Sequence, residues 1–177
     1  MNIFITGLPG CGKSTLIKEI ISQLKGKKIC GFLTPEIRTD HERKGFLITS
    51  LDGKQKEFMA HADKSVFGRN SELRKFGKYW INIGAIDKFC ERILNDIENC
   101  SIIVIEEIGK MEFFSEKFKE MLSKIIASKI TLTSKITLIA TLHRAYVKDF
   151  KNKGKIFVLT RENFNVIKRE ILMLLFC

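Results

Sequence analysis

The chain has few of the features that mark exported, membrane-bound or modular proteins. No apolar run approaches the ~20 residues of a membrane span, and no charged-then-apolar leader precedes Ile3. We therefore expect a cytoplasmic protein. Five cysteines form an odd set with no C-x-x-C pair, so a disulfide framework and a zinc site are both unexpected, and five reduced thiols are the reading. With two prolines in 177 residues, no linker and no internal repeat can be discerned, and one domain over residues 1–177 is expected. A chain of this length buries roughly 70% of the surface its unfolded form exposes, so no second core is needed. Acidic residues are short relative to basic ones, 20 against 31, which gives a net charge of +11. Only 8 of the 31 are arginine, and the lysines are scattered rather than interleaved with aromatics. That pattern favours solvated surface and attraction for a small polyanion, with nucleic acid the less favoured partner.

What is present begins at once. Ile3-Phe4-Ile5-Thr6 is an apolar run that breaks into Gly7-Leu8-Pro9-Gly10-Cys11-Gly12-Lys13-Ser14-Thr15 and reopens as an amphipathic helix with Leu16, Ile17, Ile20, Ile21 and Leu24. From Gly7 to Ser14 it fits the phosphate-binding pattern G-x-x-x-x-G-K-[ST] in its required strand-turn-helix context. Glycines let backbone N–H groups converge on an anion, and the helix N-terminus adds partial positive charge. Lys13 is placed for the β- and γ-phosphates, and Ser14 for a hydroxyl ligand to Mg²⁺.

Further along, Lys28–Leu33 reads as a buried strand ending in Thr34-Pro35-Glu36-Ile37-Arg38. Ligands of open α/β sheets sit at the carboxyl ends of strands, so Glu36 and Arg38 are candidates for the site. Gly45–Thr49 and Gln55–Met59 flank Asp52-Gly53, the signature of a hairpin. From His61 to Lys78 periodicity fades into a basic loop with Arg69, Arg74, Lys75 and Lys78, a candidate cover for a phosphate site. An amphipathic helix follows through Ile86, Phe89, Cys90, Ile93, Leu94 and Ile97. Then comes Ser101–Glu107, an apolar strand stopping in the pair Glu106-Glu107. Helices capped by Ser115 and Thr160, and strands at Ile136–Ala140 and Ile156–Leu159, complete an alternation that implies a parallel sheet sandwiched by helices. Thr141, His143 and Arg144 lie just beyond the first of those two strands.

A phosphate loop followed by an apolar strand ending in acid is the arrangement of P-loop NTPases. Glu106 stands where such proteins hold Mg²⁺, and Glu107 where RecA-like ATPases place the base that polarises water. The segments Gly7–Thr15, Gly31–Arg38, Glu106–Glu112 and Leu159–Asn163 make the chain resemble, in order and over nearly its whole length, the small nucleoside-triphosphatase family of thermophiles, called cancer-related nucleoside-triphosphatase in animals. The resemblance implies an α/β RecA-like P-loop NTPase fold, a three-layer sandwich with a mostly parallel sheet and an inserted β-hairpin. It also implies Mg²⁺-dependent hydrolysis of ATP, GTP and other nucleoside triphosphates to diphosphate and phosphate. Glu106 departs from the family's usual aspartate, Pro35 from an acid, and Phe164 from an arginine.

The site expected from the residues and the resemblance together comprises Gly7 to Thr15 for nucleotide, Ser14 and Glu106 for metal, and Lys13, Glu107 and either Arg38 or Arg144 for chemistry. Two alternatives share the loop: a small-molecule kinase with the basic segment as its lid, and a slow nucleotide-gated binding module. Glu107 favours the hydrolase, because a kinase has little use for a water-activating base. Asn152-Lys153-Gly154-Lys155 lacks the acid of a guanine-reading N-K-x-D motif, so weak base selectivity is expected. A monomer is expected.

Overall fold

The computed structural model describes residues 1–127 and 136–176. Ten strands form one sheet in the order β10-β1-β9-β8-β2-β4-β5-β7-β6, with β3 paired on β4. The strands are β1 (Asn2–Gly7), β2 (Ile29–Leu33), β3 (Glu36–Thr39), β4 (Glu42–Ser50), β5 (Lys56–His61), β6 (Leu73–Phe76), β7 (Tyr79–Asn82), β8 (Ile102–Ile108), β9 (Thr137–Leu142) and β10 (Lys155–Leu159). The helices are α1 (Lys13–Gln23), α2 (Ile83–Asp96), α3 (Glu116–Ile126), α4 (Val147–Phe150) and α5 (Phe164–Phe176).

Five strands, β10-β1-β9-β8-β2, run parallel. Their apolar runs are continuous because both faces are covered, a demand specific to parallel sheets. Side-chain alternation divides each run between two cores. Phe4, Ile103, Ile105, Leu138 and Ala140 join one core with α2 and α3, while Ile3, Ile5, Ile102, Val104 and Ile139 join the other with α1 and α5. The three expected layers are thus present.

The expected hairpin is β4–β5, turning at Asp52-Gly53, where Gly53 has φ 70°. It is the first part of a larger antiparallel extension that continues through β7 and β6 and includes β3. The segment His61–Lys78, read as a basic loop, holds a 3₁₀ turn at Lys64–Val66 and β6; β7 follows it, and both strands lie at the opposite edge of the sheet from β10 and β1. The segment does not form a lid over the phosphate loop in this structure; instead Lys64 and Lys75 lie over the Trp80 ring at 4.6 and 4.5 Å.

Two local expectations change. Ser115 caps α3 as expected, accepting from Phe118 N at 2.9 Å. Thr160 and Asn163 instead bond each other reciprocally (2.8 and 3.3 Å), and α5 begins only at Phe164. The expectation of five free thiols fails for two of them: Cys30 and Cys100 are joined as a disulfide, their Cα atoms 6.0 Å apart. Seventy residues separate them in sequence, but β2 pairs with β8 and sets Cys30 opposite Ile103. Cys11 and Cys90 are free and buried, and Cys177 lies outside the described residues. Among the described residues no helix is long and apolar enough to cross a membrane.

Candidate active site

The phosphate loop leaves β1 at Gly7 and enters α1 through Gly12. A Cβ on Gly7 would stand 2.5 Å from the Leu159 carbonyl oxygen of β10, so only glycine lets the chain turn there. Gly12 takes φ 102° as the N-cap of α1 and supplies no side-chain cap, and the first turn carries no acidic residue. The uncapped N–H groups and the helix dipole are consequently left without an internal anion, an arrangement chemically suited to taking one. The Lys13 ammonium spans the loop, donating to the Gly7 and Leu8 carbonyl oxygens at 3.1 Å each. A cavity of about 710 Å³ opens beside it, lined by the loop, Arg144, and Thr160 to Glu162.

Glu106 and Glu107 lie near the carboxyl end of β8, which runs one residue further, to Ile108, and is separated from β1 by β9 alone. Pairing with β9 slips between Ile105 and Ile108, so the ladder is interrupted at the two acids and they are freed from strict strand alternation. Glu106 is 5% exposed and forms no ion pair with Lys or Arg among the described residues. Burial pushes the Glu107 carboxyl up; Lys13 pulls against the rise, and Glu106 adds to it. Lys13 and Glu107 thus lie within one another's field although 94 residues apart in sequence. At the same edge, the Thr6 and Thr141 hydroxyls are buried with no hydrogen-bond partner, on adjacent strands β1 and β9.

The two candidate arginines separate. Arg144, in the 3₁₀ turn Arg144–Tyr146 after β9, lines the cavity beside the loop. Arg38 lies on β3, half-exposed, donating to Glu36 at 2.7 Å and to the His41 carbonyl at 3.0 Å. Beside Arg144, burial and the charges of Lys110 and Lys13 lower the His143 pKa.

Two residues to which the sequence assigns no role, Arg43 and Glu112, belong to this neighbourhood together with Tyr79. Arg43 bonds Glu36 at 3.0 Å and the Tyr79 hydroxyl at 3.1 Å, and its charge opposes the rise at Glu107. Burial raises the Glu36 carboxyl, but the bonds from Arg43 and Arg38 more than offset this and hold it below the usual range. Glu112, in a 3₁₀ turn after β8, is 4% exposed, and burial pushes it up to about 8. Arg43 and Tyr79 are joined only by strand pairing across β4, β5 and β7, and Glu112 looks like any surface acid in a charged stretch. For Glu112 the signal available in sequence was its place in the segment Glu106–Glu112 that carries the family resemblance.

Comparison with known proteins places this arrangement. A family model described as NTPase matches residues 2–172. The nucleoside-triphosphatase THEP1 of Methanocaldococcus jannaschii is 40% identical over 175 residues, covering 97% of this chain and 95% of the relative. THEP1 of Pyrococcus abyssi is 34% identical, covering 98% and 91%. The crystal structure of THEP1 from Aquifex aeolicus superposes with a TM-score of 0.75 at 32% identity, covering 98% of each chain. The solution structure of a human cancer-related nucleoside triphosphatase gives 0.71 at 28% identity, covering 98% and 96%. With a matching model over nearly its whole length, a relative 40% identical and a shared fold, the chain belongs to the NTPase family of P-loop nucleoside-triphosphatases.

Proposed function

We propose that this protein hydrolyses nucleoside triphosphates, with weak preference among bases, to diphosphate and phosphate, and that it requires Mg²⁺. The observation that carries the reading is an uncapped, acid-free helix start bearing Lys13 that shares its electrostatic field with Glu107, a half-buried acid near the end of β8. In the reaction, a water oxygen bonds to the γ-phosphorus and the β–γ bridging P–O bond breaks. Glu107 accepts the water's proton, and the negative charge leaves with the diphosphate. Lys13 exchanges its two carbonyl partners for phosphate oxygens, and Arg144 neutralises charge on the transferred group. Thr141, its hydroxyl unpartnered, stands where a polar group of the ligand or an attacking water would be met.

Mg²⁺ fits the donors present. Glu106 is a nearly buried carboxylate without a cation partner among the described residues, and Ser14 presents an exposed hydroxyl in the first turn of α1. Both are hard oxygen ligands, and few protein ligands suffice for an ion that keeps waters and phosphate oxygens. When bound, the ion neutralises charge on the β- and γ-phosphates. The test is phosphate release from ATP, GTP, CTP and UTP across a Mg²⁺ titration. Metal-dependent release from all four supports the reading; no release above the buffer rate from any of them overturns it.

A further inference from the structure

Glu112 has no role in the scheme above, yet it is the most deeply buried acid near the site. It follows β8 in the turn Glu112–Phe114, with Phe113 and Tyr146 packing ring to ring at 4.8 Å beside it. No Lys or Arg pairs with it among the described residues. Its surroundings are defined by Gly109. A Cβ placed there would stand 2.9 Å from Glu112 Oε2 and 3.8 Å from both Glu107 Cγ and Cδ. Both side chains therefore border Gly109, a residue with no side chain of its own, and the Glu112 carboxyl packs against the turn that leaves the base.

We propose that Glu112 is a positioning residue for hydrolysis, whose buried carboxyl packs against the Gly109 turn and so fixes the place of the Glu107 side chain. This rests on the reading of Glu107 as the base. A loop residue can wander by an ångström unless something holds it, and a misplacement of about 1 Å can cost roughly 10²-fold in rate. The groups facing Glu112 are Glu107 from β8 and the Tyr146 phenol from the turn after β9. Neither is cationic, so two ionised carboxylates would repel in a site with little water. Burial, with Glu107 adding, holds the proton on Glu112 until about pH 8. Below that pH Glu112 adds no negative charge beside Glu107; above it, the Glu112 charge repels Glu107 and disturbs the packing.

The test uses the full chain with ATP and Mg²⁺. It combines single-turnover hydrolysis from pH 6 to 9.5, binding of a non-hydrolysable ATP analogue, and the variants Glu112→Ala, Glu112→Gln, Gly109→Ala and Glu107→Gln. Glu112→Ala should lower kcat roughly 10²-fold with analogue affinity held within about threefold. Glu112→Gln, neutral at every pH and nearly the same size, should restore most of that loss and abolish the parental decline above about pH 8. Gly109→Ala, which drives a methyl group into the Glu112 carboxyl, should lower kcat without rescue. Parental kcat in Glu112→Ala, equal loss of binding and turnover, or an unchanged alkaline decline in Glu112→Gln would each overturn the proposal. Should Glu112→Ala fail to fold, Glu112→Gln against the parent in the pH profile decides alone. Parental hydrolysis in Glu107→Gln would overturn the base reading itself, whereas its loss together with an indifferent Glu112→Ala would overturn only the positioning role.

Discussion

The parallel and antiparallel halves of the sheet are built from similar lengths of strand but answer to different demands. Strands β10-β1-β9-β8-β2 are covered by helices on both faces, and their carboxyl ends carry the phosphate loop, Glu106, Glu107 and Arg144. The antiparallel strands contribute Ile48, Met59, Ala60, Tyr79 and Ile81 to the α2 core. Their other face carries Phe58, His61, Trp80 and Lys75, with Phe58 37% exposed and the segment through Lys64 and Phe67 folded against it. Burial on two faces leaves little freedom at strand ends, and that is where catalytic groups need fixed positions. One-sided burial tolerates a charged edge, and the extension reaches the site only where Arg43 meets Glu36 and Tyr79.

Substitutions can break or sharpen that contrast. The largest effect is expected at Arg144, on the parallel side. Arg144→Ala should lower kcat by roughly 10³- to 10⁵-fold, the worth of an arginine on a transferring phosphoryl group. Arg38→Ala, on the antiparallel side, should change kcat by less than about threefold, since its guanidinium is engaged by Glu36 and His41. Single-turnover hydrolysis at saturating nucleotide compares them, and the reverse ranking would transfer the role to β3.

Next comes stability. Phe4 is fully buried in β1 against Phe150, so Phe4→Ala should cost about 3–5 kcal/mol in urea unfolding. Phe58→Ala, on the open face, should cost about 1 kcal/mol or less because much of its ring already meets solvent. Equal costs would mean that the extension is as tightly built as the parallel core.

The smallest effect concerns pH. Glu36 has its folded pKa held below the ordinary 4.5, so it adds stability that is present above that value and is lost as pH falls through the lowered one. Glu36→Gln should remove that contribution, shallowing the loss of stability below pH 4.5 while leaving its slope near neutrality unchanged. Thermal melts from pH 3 to 7 measure this, and an unchanged acid slope would mean that Arg38 and Arg43 do not hold Glu36 in solution. The pair is exposed enough that solvent keeps the effect small.

The parallel half was legible in sequence because burial on both faces writes itself as uninterrupted apolar runs, as in Ile102–Ile105, and because the phosphate loop has its own glycine spacing. Strands β3 and β6 were not legible. Each is four residues long, carries arginine or lysine among only one or two apolar residues, and is held by a neighbour rather than by its own pattern. Helix α5 was read too long because Thr160 has the chemistry of a cap but spends it on Asn163. Glu112 and Arg43 were missed for a common reason: their burial or pairing comes from chain segments distant in sequence. The Cys30–Cys100 disulfide escaped for the same reason, since spacing along the chain says nothing of two parallel strands side by side.

The central claim is that Glu107 takes the proton from the attacking water while the loop and Lys13 hold the triphosphate. The most direct measurement is single-turnover ATP hydrolysis by Glu107→Gln at saturating Mg²⁺, paired with analogue binding by the same variant. The exchange keeps the size of the side chain and removes its capacity to accept a proton, so hydrolysis should fall by roughly 10²- to 10⁴-fold while binding persists or tightens. Hydrolysis at the parental rate, with binding intact, would contradict the claim.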